Sequence, residues 1–201
     1  AYKTLWVFLI LCFPILGGLL YLLVTCQTTT RLMRRDIQSI QEKTKDLYDL
    51  PGDSYPEARE ITGSHFPQVR YLQDYVGYPV YSNTRTTYLC PGEAFHEELL
   101  AQLEKAEHYI FLEFFIIQDG VFWKSIYEIL KRKAAQGVKV RILYDDLGCF
   151  FMLPTDFVRQ METAGIECAI FNPFRPFLTV KQNNRDHRKI VVIDGKVAFT
   201  G

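Results

Sequence analysis

The 201-residue sequence has no net charge, because 23 lysine and arginine residues balance 23 aspartate and glutamate residues. Without a positive excess, the chain has no overall field that would attract nucleic acid, and we expect no such partner. Its five cysteines are scattered and include no C-x-x-C pair or other metal-binding spacing. Such a set indicates reduced thiols and argues against a disulfide framework. We expect no metal ion.

A long apolar run lies near the start of the chain. Residues 4–24 contain no charged side chain, and a helix of that length would extend roughly 30 Å, the thickness of a bilayer core. We therefore predict a transmembrane helix over residues 1–25. A signal peptide is the alternative, but the run is long for one and no small-x-small cleavage site follows it. Three arginines at 31–35, against one lysine before the run, favour a cytoplasmic location for the rest.

Residues 26–84 are predicted to be a juxtamembrane and linker region. Within 31–50, apolar residues recur at helical spacing between charged and amide side chains. An amphipathic helix at the membrane surface and a solvated connector both fit this pattern. Residues 53–84 are polar and aromatic, interrupted by proline and glycine, and are predicted to be a linker.

Helices and apolar strands alternate from residue 85 onward. Strands are predicted at 87–90, 109–117, 138–144 and 166–171, and helices at 93–107, 121–136 and 154–164. This order predicts an α/β fold with a mostly parallel sheet flanked by helices on both faces. We assign residues 85–201 to one such domain.

The segment 184–201 contains a buried strand and a tight turn. A β-branched apolar run predicts the strand, and Asp194 with Gly195 predicts a two-residue hairpin turn. Side chains alternate along a strand, so His187 and Lys189 are expected on one face. An imidazole and an ammonium at one point suit a phosphate, which the imidazole can attack or protonate while the lysine holds its oxygens. Asp194 is an odd number of positions from His187 and Lys189, so its side chain is expected on the opposite face, where it would fix the hairpin.

This H-x-K-x(4)-D spacing, with its surroundings, resembles the motif of the phospholipase D superfamily. The segments 172–177 and 183–201 are similar to the first half of a bacterial cardiolipin synthase. Upstream, the segments 113–120 and 144–148 also look like that family. The resemblance covers nearly the whole chain and implies a phospholipase D-like domain that is one half of a two-half fold.

The resemblance also implies an activity. Two phosphatidylglycerol molecules would react to give cardiolipin and glycerol through a phosphatidyl-histidine intermediate. His187, Lys189 and Asp194 would be the catalytic motif residues, with His187 as the more favoured nucleophile and Lys189 neutralising the phosphate oxygens. The implied partners are phosphatidylglycerol and the lipid bilayer, at the cytoplasmic side of a bacterial cell membrane. No cofactor is implied.

The family builds its active site from two such motifs, whereas this sequence contains one. The chain is therefore expected to be truncated at its C-terminus and inactive alone. The missing half or a homodimer partner would supply the second histidine as general acid. The alternatives are a phospholipase D-type hydrolase, a nuclease or a non-catalytic membrane-anchored fragment. A nuclease would more often be soluble or secreted and carry a basic groove, which the sequence does not show.

Further residues are candidates for supporting roles. Glu113 lies within an apolar predicted strand, where a carboxylate requires a partner. It would either hydrogen-bond a catalytic imidazole or pair with an arginine such as Arg141. Asn184 and Arg185 precede the motif histidine, and the basic side chains there either attract lipid headgroups or form a solvated loop. Asp145 ends a predicted parallel strand, where sites often form, but a cap of the next turn is favoured.

Aromatic residues are concentrated just before the motif. Phe171, Phe174 and Phe177 alternate with Pro173 and Pro176. They would form either a stiff apolar lip for acyl chains or ordinary packing under a loop, and the sequence leaves both interpretations open.

Overall fold

The computed structural model describes residues 2–25, 29–44, 55–81, 84–174 and 185–201. The chain divides into two compact units, one of Ala1–Thr25 with Leu89–Gly201 and the other of Cys26–Tyr88. The larger unit contains the motif segment. The smaller unit corresponds closely to the predicted region 26–84.

The apolar run near the start forms two short helices, α1 (Tyr2–Cys12) and α2 (Pro14–Thr25). They pack against each other, because the ring centroids of Trp6 and Tyr21 lie 5.5 Å apart, whereas a straight helix would separate these residues by roughly 22 Å. Within the described ranges, no helix combines the length and the apolar character needed to cross a membrane. The prediction of one transmembrane helix is therefore not supported.

Two residues explain the break. Pro14 begins α2, and its ring lacks an N–H and clashes with the carbonyl of a preceding helical turn, so it favours the start of a new helix. Gly17 lets the helices approach closely, because a Cβ there would lie 2.7 Å from the Leu9 carbonyl oxygen. Because of these two residues, the apolar run forms two short helices although it is long enough for one.

The smaller unit is helical over most of its described residues. It contains α3 (Thr29–Thr44), α4 (Tyr55–Thr62) and α5 (Phe66–Tyr71), with a 3-10 turn at Gly63–His65 and a π-helical segment at Leu72–Val76. Helix α3 agrees with the helix predicted over 31–50 as far as Thr44, and residues 45–54 lie outside the described ranges. The predicted linker therefore contains short helices. A position of α3 at a membrane surface remains a prediction.

The larger unit is built on a five-stranded sheet with the order β3-β2-β1-β4-β5. Its strands are β1 (Tyr109–Phe114), β2 (Lys139–Asp145), β3 (Glu167–Phe171), β4 (Lys189–Ile193) and β5 (Val197–Thr200). Strands β1, β2 and β3 are parallel, whereas β4 is antiparallel to both β1 and β5. The sheet therefore consists of the predicted parallel strands, β1 to β3, and an antiparallel terminal hairpin, β4 and β5, which makes it mixed. Because β4 begins beside the last residue of β1, it must run in the opposite direction.

Helices α6 (Gly92–Glu104), α7 (Val121–Ala135), α8 (Asp146–Cys149) and α9 (Phe157–Thr163) complete the unit. Their apolar side chains form one core with alternate residues of the strands, including Ile110 and Leu112 of β1, which are at most 2% exposed. None of these four helices covers the opposite face, which lines an open groove of about 580 Å³. Among the described residues, helices α6 to α9 therefore cover one face of the sheet, whereas the sequence predicted cover on both faces. The predicted strand at 87–90 is irregular.

Candidate active site

The side chains of His187 and Lys189 lie together at the start of β4. Lys189 Nζ is 3.0 Å from His187 Nδ1 and 2.9 Å from the His187 carbonyl oxygen. Both residues share the parity of the buried Val191 and Ile193, so they continue the core face of β4 beyond its apolar run. The pair lies at the edge where the parallel strands end, the usual place for a site in an α/β sheet. Alternation predicted this proximity, and the catalytic role remains a prediction.

An aromatic ring supports both side chains. The ring centroid of Phe115 is 4.6 Å from that of His187, and Lys189 Nζ lies 5.7 Å from the same centroid. The Phe115 N–H donates to the Arg188 carbonyl oxygen at 3.0 Å, which extends the pairing of β1 and β4 by one bond. Phe115 therefore restricts the imidazole and the ammonium together. The sequence analysis missed it, although its position directly after β1 is a usable signal.

Asp194 lies at the other end of β4. Its carboxylate accepts hydrogen bonds from the backbone N–H groups of Glu107, His108 and Tyr109 at 2.8, 2.9 and 2.7 Å. Desolvation acts to raise the pKa of Asp194, but these three donors hold it below its usual range. The five-residue strand separates it from Lys189 by roughly 17 Å. Asp194 thus anchors the hairpin to the start of β1, as its parity predicted, and does not face a phosphate held by Lys189.

The turn between β4 and β5 lies at the predicted residues, but Ile193 pairs with Val197, so three residues rather than two separate the strands. Asp194 and Gly195 have positive φ angles of 51° and 64°, as a type I′ hairpin turn requires. The Lys196 N–H closes the turn on the Ile193 carbonyl oxygen at 3.0 Å. A Cβ at residue 195 would lie 2.7 Å from the Tyr109 hydroxyl, so glycine serves both the conformation and the close approach.

A fully buried carboxylate holds the segment that precedes His187. Asp145, at the end of β2, has no exposed surface and accepts the Gly148 N–H at 3.0 Å, which is the predicted cap. It also accepts the Asp186 N–H at 2.9 Å and pairs with Arg185 Nη1 at 3.2 Å. Asp145 therefore ties the end of β2 to the two residues before the motif histidine. Only the three-dimensional structure reveals this second role.

Glu113 pairs with an arginine, which is one of the two kinds of partner predicted for it, but the arginine is not Arg141. Its carboxylate pairs with Arg188 at 2.7 Å, and Arg141 pairs instead with Glu167 at 2.7 Å. Glu113 lies opposite Ile190 in the register, so it projects from the face opposite to that of His187. The suggested hydrogen bond to the imidazole is therefore corrected to an ion pair with Arg188, across the sheet from the motif pair.

The carboxyl groups of Glu113 and Asp186 shift each other's pKa in opposite directions. Burial raises the pKa of Glu113 to about 7, and the hydrogen bond to Asp186 and the charge of Asp186 act in the same direction, against Arg188. Burial also acts to raise the pKa of Asp186, but hydrogen bonds from Glu113 and Arg188 lower it. Glu113 is therefore the first of the two carboxyl groups to take up a proton as the pH falls. Asp186 was missed in the sequence, because its relation to Glu113 depends on the register that places Ile190 opposite Glu113.

Two predicted site residues remain, Arg185 and Asn184. The side chain of Arg185 is 13% exposed and donates to Asp145 and to the Asn172 carbonyl oxygen. Arg185 therefore stabilises the fold from a largely buried position, which corrects its suggested contact with lipid headgroups. Asn184 lies outside the described residues. Within the described ranges, no histidine, cysteine, aspartate or glutamate side chains are grouped so that they could hold a metal ion.

This arrangement defines what the site can do. The Lys189 ammonium and the His187 imidazole lie together at the edge where the parallel strands end. The Phe115 ring contacts both, and the buried Asp145 holds the segment that precedes His187. A phosphate within attack distance of the imidazole would also be within reach of the ammonium, which could neutralise its oxygens. The site provides one nucleophile and one cation, and its described residues contain no second histidine beside them.

Comparison with known proteins gives consistent results. A family model described as "Cardiolipin synthase, PLD-like domain" matches residues 99–201, about half of the chain. A cardiolipin synthase of Geobacillus kaustophilus is 34% identical over 197 residues, covering 98% of this chain and 39% of its own length. A probable cardiolipin synthase of Bacillus subtilis is 32% identical over 206 residues, covering 100% of this chain and 40% of its own length.

Other similar proteins carry less functional information. An uncharacterised protein of Streptococcus mutans is 38% identical over 196 residues, covering 98% of this chain and 42% of its own length. The chain thus spans about 40% of the length of these curated relatives. Among solved structures, NucT from Helicobacter pylori aligns with a TM-score of 0.42 at 16% identity, covering 57% of this chain and 70% of its own.

Proposed function

Because the chain belongs to the cardiolipin synthase family of phospholipase D-like domains, we propose that the whole protein is a phosphatidyltransferase. It moves a phosphatidyl group from one phosphatidylglycerol to the terminal hydroxyl of another and releases glycerol. The observation that carries this proposal is the contact between His187 and Lys189 at the edge where the parallel strands end. Relatives named cardiolipin synthase support the choice of substrate.

The first half-reaction forms a bond between phosphorus and a ring nitrogen of His187. The unprotonated nitrogen attacks the phosphorus of one phosphatidylglycerol while the bond from phosphorus to the oxygen of the headgroup glycerol breaks. The leaving oxygen takes a proton from a general acid on the opposite side. Lys189 binds a non-bridging oxygen, and its ammonium needs to move little because it already lies beside the imidazole.

The second half-reaction returns the enzyme to its starting state. The hydroxyl of a second phosphatidylglycerol gives its proton to the former general acid, now a base, and its oxygen attacks phosphorus. The bond between phosphorus and His187 breaks, and cardiolipin leaves. His187 cannot be both the nucleophile and the acid on the opposite side. We infer that a second motif supplies the acid, either from the rest of the protein or from a second copy, and that this chain alone is inactive.

The lipid substrates determine where the reaction takes place. Both phosphatidylglycerol molecules reside in the bilayer, so the protein works at the bacterial cell membrane. Nucleic acid is not a partner, because the balanced charge offers no basic field. The same motif would also serve a phospholipase D, with water in place of the second phosphatidylglycerol as acceptor.

Lipid mass spectrometry tests the proposal in cells that lack cardiolipin. The full-length protein is expressed as wild type, as His187→Ala and as His65→Ala, an exposed histidine in the other unit that serves as the matched control. We expect cardiolipin with the wild type and the control and none with His187→Ala. Accumulation of phosphatidic acid instead would identify a hydrolase. No lipid change with a well-expressed wild type would contradict both enzymatic functions.

A further inference from the structure

Large apolar side chains are exposed together at the sheet edge that carries His187 and Lys189. We name six of them the apolar rim: Ile116, Val121, Leu147, Phe150, Phe151 and Phe174. Their exposed fractions range from 37% for Phe174 to 89% for Phe151. All six follow the ends of the parallel strands β1, β2 and β3. Parallel strands end at one edge, so the chain brings these side chains to the same end of the sheet as the motif.

Contacts join the chain segments that carry the rim. The Ile117 N–H donates to Cys149 Sγ at 3.1 Å, which joins the segment after β1 to α8 after β2. Gly148 makes this contact possible, because a Cβ there would lie 2.2 Å from the Phe115 carbonyl oxygen. The ring centroids of Phe150 and Phe174 lie 5.4 Å apart, which joins α8 to the segment after β3. The hydrogen bond and the ring contact thus hold together the three segments that carry the exposed side chains.

The rim also borders the motif pair. Phe115, which precedes Ile116 of the rim, packs on the His187 ring at 4.6 Å between centroids. On the other side, Asp146 accepts the Phe174 N–H at 2.6 Å and fixes the end of the rim to α8. Exposed phenylalanine, leucine and isoleucine side chains therefore lie at the same end of the sheet as the imidazole and the ammonium. Monomeric proteins rarely expose such a patch without a partner for it.

We propose that the apolar rim is a membrane-contacting surface that inserts into the boundary between lipid headgroups and acyl chains. A bilayer presents phosphate and hydrocarbon at adjacent depths, which matches a cationic centre within an apolar border. Phe151 is the part of the rim most exposed and enters furthest. The choice of a lipid surface over a protein partner rests on the proposed function, because lipids must reach His187 and the second motif, which lies opposite His187, must leave that route open.

Site-directed spin labelling of the full-length protein tests the proposal. A nitroxide is attached at Phe151→Cys in a background where the native cysteines other than the buried Cys149 are serine. The matched control is Lys196→Cys, an exposed position at the opposite sheet edge. Collision with oxygen, which partitions into lipid, and with a water-soluble nickel chelate is measured with and without phosphatidylglycerol vesicles.

We expect vesicles to raise the oxygen collision rate at residue 151 and to lower the nickel collision rate severalfold, with residue 196 unchanged. A nickel collision rate at 151 that stays as high as at 196 means a surface in water and overturns the proposal. Low rates for both reagents mean cover by protein and also overturn it. The spin label reports the depth of residue 151 in the membrane and does not depend on lipid turnover. The same measurement on the His187→Ala variant therefore tests this proposal independently of the proposed function.

Discussion

Substituting Asp194 by alanine should weaken the fold rather than the chemistry. The variant loses three hydrogen bonds that one carboxylate accepts from consecutive backbone N–H groups. A hydrogen bond to a charged group contributes about 1.5–3 kcal/mol when buried, but this carboxylate is only half-buried and water replaces part of each bond. We therefore expect a loss of about 2 kcal/mol in the free energy of unfolding, similar to the larger measured losses of helix caps.

Equilibrium urea unfolding, followed by tryptophan fluorescence, measures this loss. Lys196→Ala, two residues away and exposed, is the control and should change stability by less than about 0.5 kcal/mol. The lowered pKa of Asp194 adds a second readout. Its stabilisation is present above the ordinary pKa of 3.8 and is lost as the pH falls through the lower folded value. An Asp194→Ala protein of unchanged stability but without lipid transfer would refute this reasoning.

The other substitutions test the network behind the motif. The folded pKa of Glu113 is raised from 4.5 to about 7, so the wild type should lose stability as the pH rises through that window. Glu113→Gln should flatten this slope in thermal melts, and equal slopes would contradict the raised pKa of Glu113. Asp145→Ala leaves Arg185 and the Asp186 N–H without their buried acceptor and should lower stability by about 3–5 kcal/mol. The exposed Asp119→Ala is its control in urea unfolding, and equal midpoints for the two would argue against the anchor.

The parts of the fold predicted from sequence are those determined locally. Strands β1, β2 and β3 and helices α6, α7 and α9 lie within a few residues of their predicted bounds, because apolar periodicity and glycine stops reflect neighbouring residues. The proximity of His187 and Lys189 followed from alternation alone. The turn at Asp194 and Gly195 followed from the preference of these residue types for positive φ.

The errors concern contacts between segments distant in sequence. Hydropathy favoured one helix over 1–25, whereas Pro14 and the packing of Gly17 on Leu9 produce two. The antiparallel direction of β4 depends on where the chain re-enters the sheet, which no local pattern records. Glu113 was correctly expected to need a partner, but choosing Arg188 over Arg141 required the register of β1 against β4.

The most direct measurement is to look for the covalent intermediate on His187. Full-length protein is mixed with phosphatidylglycerol, quenched at alkaline pH, where phosphohistidine persists, and digested for tandem mass spectrometry. The account predicts a phosphatidyl adduct on His187 that forms in the wild type and in His65→Ala and is absent from His187→Ala. An adduct on a different residue, or rapid cardiolipin formation without any adduct, would contradict the assignment of His187 as the nucleophile.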